Sequence, residues 1–320
     1  MRAFAVRAFG ESPGICDLPV PAAEDSVLVR VSCAGVNPVD VQLIDQLTSA
    51  SAFPFVLGVD VAGVVERVPA SVADLRVGDH VFGMARTHGS YAEYTAIAPG
   101  ARTEPLASIP DGVADEQAAV LPVAAIAALG SLELLGVIAG QRLVVIGAAG
   151  AVGGYAVQMA LARGAHVIAA VRGDLAEARR LGAAEVYDTG ARDVADLLRE
   201  SHPDGVDAVL DIVNGRGAIR GDVEFLRPGG RLVSTVFGAN VGWFAERHIR
   251  AFNIVGHTTP FGGTPNPKQS PHGLTEVAQM LAAGTITARI GSAVGLDAVP
   301  GGLEKLRDGD LHGKAVIRLQ

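Results

Sequence analysis

The chain has 320 residues, 49% of them hydrophobic and 19% charged, which is enough apolar matter for a sizeable core and too much for a disordered chain. A formal net charge of −8 with no basic cluster excludes a nucleic-acid surface. The two cysteines, Cys16 and Cys33, exclude a disulfide framework, and no uninterrupted apolar stretch is long enough for a membrane span.

The first hundred or so residues read as short strands, at 2–6, 27–36, 59–68, 79–84 and 91–98. Turn chemistry separates them at GVNP (35–38), FPF (53–55) and VGD (77–79). This pattern predicts a mostly β domain, partly closed into a barrel. The start of the chain, MRAFAVRAFG, lacks the apolar segment of a secretion signal, so a reducing cytoplasm is the expected location.

From about residue 122 the rhythm changes to alternating strands and helices. Strands are expected at 141–147, 166–171, 184–188, 206–213, 231–236 and 253–258. Helices are expected at 152–164, 174–182, 191–201, near 220–227 and near 242–250. Asp174 is placed as an N-cap, with Glu177 positioned to close a capping box. Six such repeats predict an α/β fold with a doubly wound parallel sheet. The end of the chain offers a helix at 275–284, a strand at 286–294, a broken helix at 296–309 and a last strand at 313–319. That segment is expected to rejoin the β domain. The domains are therefore 1–120 with 266–320, and 121–265.

The most informative motif is AAGAVG (148–153), set between a buried strand and a helix. Small residues there let the chain turn tightly, let a pyrophosphate approach backbone N–H groups, and let the helix pack close to the sheet. The helix N-terminus adds free donors and a partial positive charge. Ala148, Gly150, Ala151, Val152 and Gly153 are thus candidate cofactor contacts, with Ala148 in place of the usual first glycine. An NAD site puts an acidic residue about 20 residues further on. Here Val171 stands there and Arg172 follows. A guanidinium pairs with a 2′-phosphate that a carboxylate would repel, so the expected cofactor is NADPH.

These motifs occur in order with FPFVLGVDVAGVVERV (53–68), LRVGDHVFG (75–83), LPVAAIAAL (121–129), VDAVLDIV (206–213), LRPGGRLVS (226–234) and HGKAVIRL (312–319). Together they resemble the medium-chain dehydrogenase/reductase superfamily, in its quinone oxidoreductase branch. The resemblance implies a Rossmann domain enclosed by a GroES-like β domain built from both ends of the chain. Zinc enzymes of that superfamily hold their metal through Cys, His and Cys. Here Asn37 stands at the first position, Gly58-Val59-Asp60 replaces Gly-His-Glu, and LPVAAI offers no thiolate, so no metal is expected. Without a Lewis acid the acceptor must itself be electrophilic, which points to a quinone or other α,β-unsaturated carbonyl compound.

By the same resemblance Asn37 lies near the nicotinamide and orients the substrate; read locally, it is the first residue of an Asn-Pro turn. Lys314 either approaches the cofactor or is a solvated lysine opening the last strand. Val213 with Asn214, and Phe237 with Gly238, end the fourth and fifth strands at the carboxyl edge of the sheet, where ligands bind, and are placed to hold the nicotinamide. Asp40 and Asp60 are expected to be structural, satisfied by backbone or arginine groups, and Tyr91 to pack. The alternatives to a quinone or enone reductase are an enoyl-thioester or biosynthetic tailoring reductase and a non-catalytic NADPH-binding protein. The relatives' habit of pairing their last sheet strands suggests a homodimer.

Overall fold

A nine-residue strand, β3 (Val27–Gly35), organises the N-terminal half because β-branched residues alternate along it and fill one face. In the computed structural model, which describes residues 1–22, 24–87, 89–98, 100, 103–213, 225–236, 241–255, 264–308 and 313–319, β3 pairs antiparallel with β5 (Asp60–Arg67). The sheet continues through β6 (His80–Met84) to β8 (Leu106–Ser108). β7 (Tyr94–Ile97) joins the first half of β3. β1 (Arg2–Val6), β2 (Gly14–Asp17) and β4 (Phe55–Val56) form a separate three-stranded sheet.

The far end of the chain completes this β region. β17 (Lys314–Arg318) pairs antiparallel with the second half of β3, placing Val316 opposite Gly35, and parallel to β16 (Ile290–Gly295). The core beneath holds Val29, Val31, Val61, Val65 and Val81, all buried. Two helices come from the same end: α8 (Pro271–Ala282), capped by Ser270, and α9 (Val299–Asp308). A 3-10 turn at Leu296–Ala298 precedes α9 and accounts for the expected break.

Between β3 and β4 the sequence reading places turns at 35–38 and 53–55 and no helix. The structure has a helix there, α1 (Pro38–Asp45), with Asn37 at its N-cap and Pro38 in its first turn. The Asn37 N–H donates to the Asp40 carboxylate, so a first-turn acid satisfies one of the helix's unpaired donors. Two more helices follow, α2 (Asp115–Ala118) and α3 (Pro122–Leu135).

The second region alternates strand and helix: β9 (Arg142–Ile146), α4 (Ala151–Ala162), β10 (His166–Val171), α5 (Leu175–Arg180), β11 (Glu185–Asp188), α6 (Val194–Ser201), β12 (Val206–Asp211), β13 (Leu226–Ser234), α7 (Val241–Ala245), β14 (Arg250–Val255) and β15 (Thr264–Pro265). All strand pairs are parallel, in the order β11-β10-β9-β12-β13-β14-β15. Apart from the added β15, this is the 3-2-1-4-5-6 order of a doubly wound dinucleotide fold. Every residue of β12 is buried, as a parallel strand covered on both faces requires.

Several expected boundaries move. The helix near 220–227 is not supported at its end, because Leu226 already belongs to β13; residues 220–224 lie outside the described residues. β13 starts five residues early because Pro228, Gly229 and Gly230 sit in an irregularity between the Leu226–Val206 and Arg231–Ala208 pairings, where a ladder tolerates them. The helix near 242–250 shrinks to α7, since Arg250 already pairs with Arg231. The strand at 286–294 begins only at Ile290.

The chain divides into two compact units. One is Met1–Val123 with Ser270–Gly284 and Ala288–Gln320; the other is Ala124–Gln269 with Thr285–Thr287.

Candidate functional site

In the second unit the connection from β9 to α4 is shaped by three glycines. Gly147 has φ +90, and a Cβ there would come within 2.6 Å of the Val213 side chain. The Gly147 and Ala148 N–H groups donate to the Ala170 carbonyl at 2.9 and 3.3 Å, tying the turn to β10. Gly150 is the N-cap of α4. A Cβ on Gly153 would lie 2.2 Å from the Gly147 carbonyl oxygen, so the first turn of the helix rests directly on the strand exit. Ala148 is fully buried, so its methyl group is accommodated. The N–H groups of Ala151, Val152 and Gly153 open the helix, where no intrahelical acceptors exist and the dipole favours an anion.

Sequence reasoning put Gly147 at the end of a strand and missed its part in the turn. The available signal was its spacing, three residues before Gly150 and six before Gly153.

Arg172 directly follows β10, is exposed, and has no ion-pair partner among the described residues. The neighbouring acids are engaged. Asp174 caps α5 by accepting from the Glu177 N–H, and the Glu177 carboxylate grips Arg180 at 2.7 and 2.8 Å. β12 ends at Asp211, so Val213 lies two residues beyond the strand, exposed, with its N–H donating to the Asp211 carboxylate. Asn214, Phe237 and Gly238 lie outside the described residues.

In the first unit a buried polar cluster joins both ends of the chain. Lys314 opens β17 and is only 4% exposed, which rules out a solvated lysine. Its Nζ donates to the Val36 carbonyl at 3.0 Å, the Asn37 Oδ1 at 2.5 Å and the Asp60 Oδ2 at 3.3 Å. Asn37, 2% exposed, donates from Nδ2 to the same Asp60 oxygen at 2.9 Å. The other Asp60 oxygen accepts from the Val123 N–H. Asp60 is therefore satisfied by backbone, amide and lysine, with no arginine bonded to it among the described residues.

Asp40 lies one helical turn beyond Asn37. Its Oδ2 accepts from the Asn37 N–H at 2.8 Å and the Tyr91 hydroxyl at 2.7 Å, while Oδ1 has no partner among the described residues. Burial pushes the Asp40 carboxyl up to about 7, against the pull of its hydrogen bonds to Tyr91 and Asn37. Burial also raises Asp60, with the Lys314 charge opposing it. Tyr91 packs in the core as expected, but its buried hydroxyl also binds Asp40, and burial raises it well above the usual phenol range. The nearby Arg86 is lowered by burial, with Asp60 and Asp40 pulling the other way.

The donor set at the superfamily's zinc position is a carboxamide, Asn37, and an apolar side chain, Val59, beside an Asp60 that already holds Lys314. Among the described residues no three His, Cys, Asp or Glu side chains gather as a metal site would need. Cys33 lies buried in β3, with its thiol pushed up to about 12 by burial and then by Glu116 and Asp115.

Residues 23–111 match the family described as alcohol dehydrogenase GroES-like domain, and residues 181–317 match zinc-binding dehydrogenase. The quinone oxidoreductase of Rattus norvegicus is 32% identical over 245 residues, 73% of this chain and 72% of that protein. The 2-methylene-furan-3-one reductase of Solanum lycopersicum is 35% identical over 224 residues, 66% of this chain but 54% of that protein, so the chain spans about half its length. The solved quinone oxidoreductase from Coxiella burnetii superposes with a TM-score of 0.84 at 25% identity, covering 100% of this chain and 99% of that one. The chain belongs to the medium-chain dehydrogenase/reductase superfamily, in its quinone oxidoreductase branch, and has that family's Rossmann sheet and GroES-like domain. It is an oxidoreductase of a family that uses nicotinamide cofactors. Among the described residues no helix is long and apolar enough to cross a membrane.

Proposed function

We propose that this protein is an NADPH-dependent reductase of quinones or other α,β-unsaturated carbonyl compounds that works without a metal ion. The cofactor supplies the hydride; the protein binds it, orients the acceptor and steadies the charge that forms. The backbone of Ala148, Gly150, Ala151, Val152 and Gly153 takes the pyrophosphate, and Arg172 takes the 2′-phosphate. Val213, with Phe237 and Gly238, serves the nicotinamide end. The printed names of the relatives, a quinone oxidoreductase and a furanone reductase, support an acceptor in which conjugation spreads the arriving charge. An enone takes the hydride at its β-carbon, its carbonyl oxygen carries the resulting negative charge, and a proton from solvent completes the reduction.

One observation carries the metal-free reading. The ammonium of Lys314 sits on Asn37 Oδ1 and beside Asp60, where a zinc ion would need an anionic or imidazole ligand set. The residues present do not fit zinc. A neutral ketone or alcohol would then go unactivated, whereas a quinone needs no such help.

Protein dialysed against a chelator is expected to oxidise NADPH with 9,10-phenanthrenequinone at the undialysed rate. Turnover of crotonyl-CoA with none of the quinone would point to an enoyl-thioester reductase instead. Tight NADPH binding without turnover of either would point to a non-catalytic protein. The reading includes a homodimer, since among the described residues β15 covers β14 at Ile254 and Val255 alone; light scattering giving a concentration-independent monomer would remove it.

A further inference from the structure

A guanidinium beside a free carboxylate has a ready partner, yet the acids around Arg172 are each turned to something else. Asp174 and Glu177 are engaged by the α5 cap and by Arg180. The third, Asp188, ends β11 and lies in register with Val171, the residue before Arg172. Its Oδ1 accepts from the Gly190 N–H at 2.8 Å, closing an Asx turn. Thr189 ties that turn to β10: its N–H and its hydroxyl both donate to the Val171 carbonyl, at 2.8 and 3.2 Å. That carbonyl shares a peptide group with the Arg172 nitrogen, so the backbone of Arg172 is held from β11. Gly190 completes the contact. A Cβ there would lie 3.5 Å from the Arg172 Cγ and 3.1 Å from the Asp188 Oδ1, so the arginine stem and the carboxylate flank a position with no side chain. Arg192, two residues further on, pairs with Glu200 and leaves Asp188 alone.

We propose that the turn Asp188–Thr189–Gly190 is a specificity device: it positions Arg172 and keeps Asp188 off the guanidinium, leaving that cation free for the 2′-phosphate of an adenosine ligand. A released Asp188 would pair with Arg172 and repel the phosphate. The inference rests on the assignment of Arg172 to the 2′-phosphate made above, and all of its residues belong to one compact unit.

The test measures binding of 2′,5′-ADP and 5′-AMP to the full chain by calorimetry. Neither ligand reacts, so a failure of the reductase reading leaves the test standing. Gly190 has no left-handed φ, so Gly190→Val alters the space and not the backbone conformation. It should crowd Asp188 and the Arg172 stem and weaken 2′,5′-ADP about tenfold, the scale of one charge-assisted hydrogen bond, with 5′-AMP little changed. The pair Asp188→Asn/Gly190→Val should recover part of that loss, because an amide carries no charge to compete with the phosphate. No recovery, or equal weakening of both ligands, overturns the inference. Should Gly190→Val not fold, Thr189→Val decides, since it removes only the hydroxyl donor. A preference for 2′,5′-ADP lowered about threefold supports the role, and an unchanged preference overturns it. A wild type that binds both ligands equally overturns the Arg172 assignment and this inference together. A wild type that prefers 2′,5′-ADP, matched by its variants, overturns this inference alone.

Discussion

Gly153, in the first turn of α4, rests against the carbonyl of Gly147 at the exit of β9: a Cβ at residue 153 would come 2.2 Å from that oxygen. Two backbone segments can approach this closely only if residue 153 has no side chain. Gly153→Ala should therefore push the helix off the turn and misplace the donors meant for a pyrophosphate. Its Kd for NADPH by calorimetry should rise at least about tenfold, or ~1.4 kcal/mol. Gly154→Ala is the control, since its Cβ would make only ordinary contacts, with Leu181 at 3.6 Å and the Ala148 carbonyl oxygen at 3.9 Å. That change should leave NADPH binding intact and stabilise the helix by about 0.5–1 kcal/mol in denaturant titrations.

On the proposed reading, Arg172 distinguishes the two nicotinamide cofactors. Its guanidinium is exposed and unpaired among the described residues, while the adjacent Asp174 and Glu177 are held by a helix cap and by Arg180. Arg172→Asp should raise the KM for NADPH by roughly 10- to 100-fold, the worth of one or two charge-assisted hydrogen bonds. The KM for NADH should change little. Equal effects on the two cofactors would remove the assignment.

Asp40 gives a pH signature. Unfolded, its carboxyl titrates at 3.8; buried beside Tyr91, Asp60 and Lys314 it titrates at about 7. Between those values the native state keeps a proton that the unfolded chain has released, so stability falls as pH rises through the window. The stabilisation is complete below about 3.8 and lost above about 7. Asp40→Asn keeps an oxygen for the Asn37 N–H and the Tyr91 hydroxyl but cannot ionise. Its unfolding free energy should therefore lose less between pH 5 and pH 8 than that of wild type, as read by urea titration at each pH. Parallel profiles would show that Asp40 does not hold this proton.

The fold was legible wherever hydrophobic period and turn chemistry agreed. The strands at 2–6 and 166–171 and the helix starting after Asp174 come out as read, and the AAGAVG motif lies between strand and helix. α1 was missed although Asn37, Pro38 and Asp40 spell a helix start, because an Asn-Pro pair also starts turns. The Pro228-Gly229-Gly230 run hid the early start of β13, since such residues enter a strand only at an irregularity.

The site was less legible. Gly147 could be found from glycine spacing, but the state of Lys314 could not. Its partners lie 254 to 278 residues away in sequence and meet it only because β17 pairs with β3. No local pattern distinguishes a lysine that will be sealed beside Asn37 and Asp60 from one that will face water.

The proposed reading is that hydride transfer here runs on NADPH, with Lys314 buried against Asn37 where the zinc enzymes of the superfamily hold their metal. It is tested most directly by measuring NADPH oxidation with 9,10-phenanthrenequinone on protein whose metal content has been determined by elemental analysis. The account predicts full turnover at far less than one zinc per chain, unchanged by added zinc or chelator. Stoichiometric zinc whose removal abolishes turnover and whose return restores it would contradict the account.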